Sequence, residues 1–348
     1  MPNLLIYGAN GYTGALIARE AARLGLAPIL AGRSEAVRTL AEELGLPHRL
    51  FGLADSTTLR ASLSEIAVVL NCAGPFSQTA QSLADVCLQK RIHYLDITGE
   101  ASVFAQLASR DSDAREKGVM LLPGVGFDVV PSDCLAVHLK RRLPTATHLT
   151  LAFKALTRLS RGTSRTMVEA LANGGLVRER GVLRTVPAAW KTRPIDFGAG
   201  PETAMTIPWG DLVTAYHSTE IPNIEVFMAS PWPNRMAARL SRYFTWLLRK
   251  PGVQTWLKRR VNAGPPGPTA GERAQGRSLF WGEALDNAGR KVVSRLITPE
   301  SYDLTVQTAL AICRKVLAGA VKPGFQTPAM AFGADFILDI AGVTRSDD

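Results

Sequence analysis

In the first 130 residues, short apolar runs alternate with stretches whose apolar positions recur three and four apart. The runs are Asn3–Tyr7, Pro28–Ala31, His48–Gly52, Ala67–Leu70, Ile92–Asp96 and Val119–Leu122. Strands this short and apolar suit a parallel sheet covered on both faces. Between the first two runs, Leu16, Ile17, Ala21 and Leu24 fall at helical spacing within Thr13–Leu24. Ser34 is placed to cap a second helix running through Leu44. Repeated strand–helix alternation predicts a doubly wound α/β domain over residues 1–130.

The pattern changes after Pro131. A helix is expected to Arg142, then an alternating strand at Thr147–Phe153 and a helix at Thr163–Asn173. Thr163, Ser164 and Arg165 at that helix start suit either ordinary capping or an anionic substrate group. Asp211–His217 and Ile224–Ala229 read as strands, and Leu279–Leu285 with Lys291–Ile297 flank the turn Asp286-Asn287-Ala288-Gly289 as a hairpin. These elements predict a second domain with a mixed sheet over residues 131–300. Helices at Tyr302–Ala318 and Ala329–Ile340 are then expected to pack back on the first domain as residues 301–348.

The turn after the first strand carries the clearest chemistry. It reads Gly8-Ala9-Asn10-Gly11-Tyr12-Thr13-Gly14. Between a strand and a helix, such glycines give the tight turn, a close backbone approach to a pyrophosphate, and close helix–strand packing. N–H groups at Tyr12 and Thr13 would then face the phosphates. The second strand ends Ala31-Gly32-Arg33-Ser34 without the acid that would hold a ribose 2′-hydroxyl. Arg33 can instead clamp a 2′-phosphate, with Ser34 donating to it, so the expected cofactor is NADP(H). Asp55 is placed either to reach the adenine edge or to cap a helix.

Ligands of such sheets lie outside the carboxyl ends of the strands. That rim should hold Asn71-Cys72-Ala73-Gly74-Pro75-Phe76, Tyr94-Leu95-Asp96-Ile97-Thr98-Gly99-Glu100 and Pro123-Gly124-Val125-Gly126-Phe127-Asp128. Cys72, Ala73, Gly74 and Pro75 are expected along the nicotinamide half. Asp128 is the first candidate proton donor, with Glu100, Tyr94 and Cys72 behind it. Asp128 is equally placed to cap the helix starting at Pro131-Ser132.

Composition adds one local feature. Hydrophobic residues make up 46% and charged residues 20%, as in an ordinary soluble globular protein. The net charge is +10, yet Arg235, Arg239, Arg242, Arg249, Lys250, Lys258, Arg259 and Arg260 gather within 235–261 with no acid among them. On a helix there, Met236, Leu240, Phe244, Leu247 and Leu248 share the face opposite the first arginines, Trp246 lies on the basic side, and Pro251-Gly252 breaks the helix. A basic amphipathic segment of this kind suits a membrane surface, an acidic partner or a merely solvated face. Nothing else resembles a nucleic-acid reading module, so no nucleic-acid partner is expected. Residues 263–276 are Gly- and Pro-rich and read as a mobile linker or lid.

Cys72, Cys87, Cys134 and Cys313 are scattered without a C-x-x-C pair, so neither a metal site nor a disulfide framework is expected. With no signal-peptide pattern and no run long enough to span a bilayer, the expected location is cytoplasmic, with peripheral membrane attachment left open. A homodimer is left open as well.

Taken together, the strand-end segments resemble the saccharopine dehydrogenase-like oxidoreductases, and among them the bacterial trans-acting enoyl reductase type. Pro131-Ser132-Asp133, Pro323-Gly324-Phe325-Gln326-Thr327-Pro328-Ala329 and Phe332-Gly333 share the likeness, which is weakest over 185–275. The resemblance implies a Rossmann domain, an inserted α/β substrate domain and a C-terminal helix returning to the first domain. Its activities are diverse. Three readings stay open: NADPH-dependent reduction of a C=C bond in a lipid-like or polyketide acyl substrate, free or carrier-bound; reduction of an amino-acid imine, with Arg158, Arg161 and Arg165 taking the carboxylates; and a non-catalytic NADPH-binding protein docked on membranes or a partner.

Overall fold

The computed structural model describes residues 3–348 except 156, 157, 159, 172, 173, 242, 245 and 247–249. It divides into two units, residues 1–130 with 302–331 and residues 131–301 with 332–348.

The first unit is built on a seven-stranded sheet. Its strands are β1 (Asn3–Tyr7), β2 (Ile29–Gly32), β3 (His48–Leu50), β4 (Ile66–Asn71), β5 (His93–Asp96), β6 (Met120–Leu122) and, from far down the chain, Gly324–Phe325. The order is β3-β2-β1-β4-β5-β6 followed by Gly324–Phe325, every pair parallel. Leu5, Ile6, Leu30, Val68, Val69, Leu70, Leu95 and Leu121 are wholly buried, as expected of strands covered on both faces. Strand order reverses between β1 and β4, and crevices for ligands form at such switch points. From Tyr302 on, the long helix Ser301–Leu317 belongs to this unit, and it buries Leu304, Ala309, Leu310, Ile312 and Cys313.

The second unit holds a mixed nine-stranded sheet. Its main path runs Thr192–Asp196, Pro201–Thr206, Asn223–Ala229, His148–Ala155, Arg277–Leu285, Lys291–Pro299 and Thr344–Asp347. Asn223–Ala229 and His148–Ala155 are parallel; the hairpin Arg277–Leu285/Lys291–Pro299 is antiparallel, with Asp286 accepting the backbone N–H groups of Ala288 and Arg290. Ile195, Phe197, Phe227 and Trp281 form a core beside this sheet.

Several expectations change. Asp211–His217 is not a strand but the start of helix Asp211–Thr219. Its Val and Thr residues favour strands only weakly, and burial of Asp211, Leu212, Val213, Thr214 and Ala215 decides the conformation. Ala329–Ile340 is not one helix: Pro328–Phe332 stops at Gly333, whose φ is 90°, and a short 3₁₀ turn follows at Phe336–Asp339. The segment 301–348 does not return as a whole, since residues 332–348 join the second unit and Thr344–Asp347 pairs with Lys291–Pro299. The linker at 263–276 contains helix Ala270–Gln275, started by a reciprocal capping box between Thr269 and Glu272. Pro251 opens helix Pro251–Ala263 at its first turn, where a missing N–H costs nothing. Asn173, Arg242, Leu247, Leu248 and Arg249, parts of the expected helices, lie outside the described residues.

Candidate functional site

The rim at the carboxyl ends of the first sheet is assembled by glycines that let backbone meet backbone. Gly8 has φ of 80°, and a Cβ there would lie 2.8 Å from both N and Cβ of Ala73. A Cβ on Gly14 would lie 2.4 Å from the Gly8 carbonyl oxygen, which is the close helix–strand approach the sequence predicts. The helix Tyr12–Arg23 starts with Gly11 at its N-cap and no side chain capping it. Its positive end therefore faces the turn. Asn10 is exposed, with its Oδ1 3.5 Å from the space a Gly32 Cβ would fill.

Arg33 stands exposed at the end of β2, and among the described residues no carboxylate or carbonyl engages it. Its charge reaches Tyr7, pulling that phenol down against a larger upward push from burial. The Ser34 hydroxyl accepts the Ala36 N–H at 3.3 Å, at the start of helix Ala36–Leu44. Asp55 takes the capping alternative: it accepts the N–H of Thr57 at 3.0 Å and the Thr58 hydroxyl, and these bonds hold it below the usual carboxylate range. An adenine contact would compete with that cap.

The loop after β4 is shaped by Asn71. Its Oδ1 accepts the Ala73 N–H at 3.0 Å, while Nδ2 donates to Thr79 Oγ1 at 3.0 Å and Tyr94 Oη at 3.2 Å. Thr79 donates back to the Ala73 carbonyl at 2.7 Å. Cys72, Ala73, Gly74 and Pro75 are thus fixed beside Gly8. Cys72 is half-buried, and burial, Cys313 and Asp96 all push its thiol upward, so it is no nucleophile at neutral pH.

Three acids cluster after β5 and β6. Asp96 is fully buried and accepts from Tyr94 Oη at 2.9 Å, Thr98 N–H at 3.0 Å and Gly124 N–H at 2.9 Å; burial lifts its carboxyl to about 6 despite those bonds. Tyr94 lies wholly inside this network and is pushed far above its ordinary range by burial, so it is scaffold and not a proton donor. Glu100 accepts the N–H groups of Phe76 at 2.8 Å and Ser77 at 3.0 Å, capping helix Phe76–Lys90 across the loop. These two hydrogen bonds tie Glu100 to the backbone and leave it a positioning role.

Asp128 is different. It is half-buried and packed on Gly99, and burial together with the Glu100 charge raises its carboxyl to about 7. A carboxyl half-protonated near neutrality is suited to donate a proton. Its loop is held by residues no local signal marks: Thr305 Oγ1 accepts the Phe127 N–H at 3.0 Å, and Thr308 Oγ1 donates to the Val125 carbonyl at 2.8 Å.

The geometry fits a dinucleotide. The Gly8–Gly14 cradle, which side chains would fill, suits a pyrophosphate, and the unpaired Arg33 with no acid on β2 suits a 2′-phosphate. No group of His, Cys, Asp and Glu able to hold a metal ion occurs among the described residues, and no helix there is long and apolar enough to cross a membrane.

Comparison with known proteins points to the same kind of cofactor domain. Residues 4–122 match the model of the saccharopine dehydrogenase NADP binding domain. A saccharopine dehydrogenase-like oxidoreductase of Bos taurus is 30% identical over 40% of this chain and 38% of its own length. A trans-acting enoyl reductase of Mycobacterium bovis is 31% identical over 40% of this chain and 36% of its own. The matches thus span less than two-fifths of these relatives. Among solved structures, the apo saccharopine dehydrogenase (L-Glu forming) of Saccharomyces cerevisiae superposes over 100% of both chains with a TM-score of 0.68 at 13% identity, a likeness of fold.

Proposed function

The chain belongs to the saccharopine dehydrogenase-like oxidoreductases and binds NAD(P), and from that premise we propose that it is an NADPH-dependent reductase of a C=C bond in a lipid-like or polyketide acyl substrate. Gly8, Asn10, Gly11, Tyr12, Thr13 and Gly14 would hold the pyrophosphate, Arg33 and Ser34 the 2′-phosphate, and Cys72 to Pro75 the nicotinamide side. When bound, the nicotinamide supplies a hydride equivalent, which leaves the protein to supply a proton. Asp128 supplies it from its carboxyl group and is reprotonated from solvent, while burial, helped by the Glu100 charge, keeps that carboxyl protonated near neutral pH.

The choice of an apolar acyl substrate over an amino acid is carried by the state of the arginines. An amino-acid imine needs free guanidinium groups for its carboxylates. Arg158 already pairs with Glu272 at 2.8 Å, and Arg161 donates to the Gly264 carbonyl at 2.7 Å. Arg165, the third candidate, is not without a partner either, and the buried Arg178 donates to the Leu212 carbonyl at 2.6 Å and stacks on Tyr216. The name of the mycobacterial relative supports the same chemistry.

The test is NADPH oxidation by the purified chain with a medium-chain enoyl thioester, against a 2-oxo acid mixed with a primary amine. Turnover of the thioester alone is the expected result. Turnover only with the 2-oxo acid and amine would reassign the substrate, and NADPH binding without turnover of either would leave a non-catalytic cofactor-binding protein.

A further inference from the structure

Eleven large apolar side chains stand exposed among the described residues, and six of them fall within 232–256: Trp232, Leu240, Tyr243, Phe244, Trp246 and Trp256. Trp246 is 62% exposed, Trp256 55% and Phe244 52%; outside this segment Trp190 is exposed as well, standing by itself. Isolated exposed apolar residues are normal, but such a concentration marks an interaction surface. We propose that the described residues between Trp232 and Ala263 form a docking surface for the anionic headgroups and outer acyl region of a phospholipid membrane. This inference is independent of the reaction proposed above.

The surface is carried by two helices, Trp232–Ser241 and Pro251–Ala263, and by Tyr243, Phe244, Trp246 and Lys250 between them. One side of the second is covered by helix Arg161–Leu171, where Gln254 Nε2 donates to the Val168 carbonyl at 3.3 Å. Trp256 and Arg260, one helical turn apart, share another face, and both are exposed with Arg259. Each cation sits over a ring: Lys250 Nζ is 4.9 Å from the Trp246 ring centroid, and the Arg260 guanidinium carbon 5.1 Å from that of Trp256. Tryptophan beside lysine and arginine is the composition of a membrane–water boundary, where rings enter the glycerol region and cations meet phosphate.

The charge pattern selects among occupants. Residues 235–261 contain no acid, so a second copy of the same surface would be repelled. A purely acidic protein face, without apolar side chains, would satisfy the cations but leave the rings in water. An anionic bilayer satisfies both.

The experiment is co-sedimentation of the full chain with vesicles of phosphatidylcholine alone and of phosphatidylcholine containing phosphatidylglycerol. The chain should pellet with the anionic vesicles, weakly with neutral ones, and less as salt rises. Lys250→Glu/Arg259→Glu/Arg260→Glu and Trp246→Ala/Trp256→Ala should each weaken binding roughly tenfold or more, with thermal melting unchanged as the control for folding. Equal binding to both vesicle types, no binding, or unchanged binding by both variants would overturn the proposal. So would binding to an acidic acyl carrier protein in place of vesicles, or a dimer that the tryptophan substitutions convert to monomer.

Discussion

Gly99 lies directly under the Asp128 carboxyl group: a Cβ at Gly99 would come 2.7 Å from Oδ2 and 3.0 Å from Cγ. The loop after β5 thereby sets the position of the side chain delivered by the loop after β6. Gly99→Ala should push the carboxyl aside and lower kcat by about the amount that removing it does, on the order of 10²-fold or more. In a double-mutant cycle with Asp128→Ala, the two losses should not add. Additive losses would separate Gly99 from Asp128.

Protonation of Asp128 gives a pH profile. Its carboxyl is raised to about 7, so the donating form prevails below that value and disappears above it. kcat should fall as pH rises through about 7, and Asp128→Asn should lower kcat by about 10²–10⁴-fold and remove that limb. Stability has the same sign. The folded chain keeps a proton that the unfolded chain, with the ordinary 3.8, has released, so Asp128 contributes less stability as pH climbs from about 4 to about 7. Calorimetric melting of wild type and Asp128→Asn across that window checks it: the variant should show the flatter dependence.

Glu100 is tested by the displacement of that limb. Glu100→Gln removes the charge that helps hold Asp128 up, so the kcat limb should move to lower pH. The amide keeps only one acceptor for the Phe76 and Ser77 N–H groups, and a loss of about 1 kcal/mol in stability should accompany the shift. An unmoved limb would remove Glu100 from the proton chemistry and leave it a helix cap.

Arg33 decides between cofactors. Arg33→Ala should raise KM for NADPH by roughly 10–100-fold, the worth of about 1.5–3 kcal/mol for bonds to a charged group, and leave KM for NADH nearly unchanged. Equal effects on both would place the side chain elsewhere than at the 2′-phosphate.

How far the sequence reaches depends on the range of the forces involved. The cradle Gly8–Gly14 and the strand-end acids are local: their residue types follow from the turn or rim they occupy. Asp128 was marked by its place after the sixth strand, but the residues that hold its loop were not. Thr305 and Thr308 lie far along the chain on a helix whose pattern speaks only of burial. Helix Asp211–Thr219 escapes the pattern because five consecutive buried residues carry neither helical nor strand period. Strand Thr344–Asp347 is polar, so alternation could not reveal it; side chains anchor it, with Asp347 accepting from Ser294 at 2.6 Å. The capping box Thr269/Glu272 was legible by spacing, yet the surrounding glycines and prolines argued for a loop.

The seventh strand of the first sheet has a consequence for how the protein is made. Gly324–Phe325 covers the edge at Met120–Leu122, and the Asp111 carboxylate fixes it through the Phe325 N–H at 2.7 Å. Between these partners the chain spells out nearly all of the second unit. During vectorial synthesis the Met120–Leu122 strand leaves the ribosome with its flank bare and stays so while residues 131–301 are translated. A bare strand edge is a template for pairing with the wrong chain. The first sheet therefore closes only after residues 131–301 have been made, and until then its open edge needs shielding from other chains.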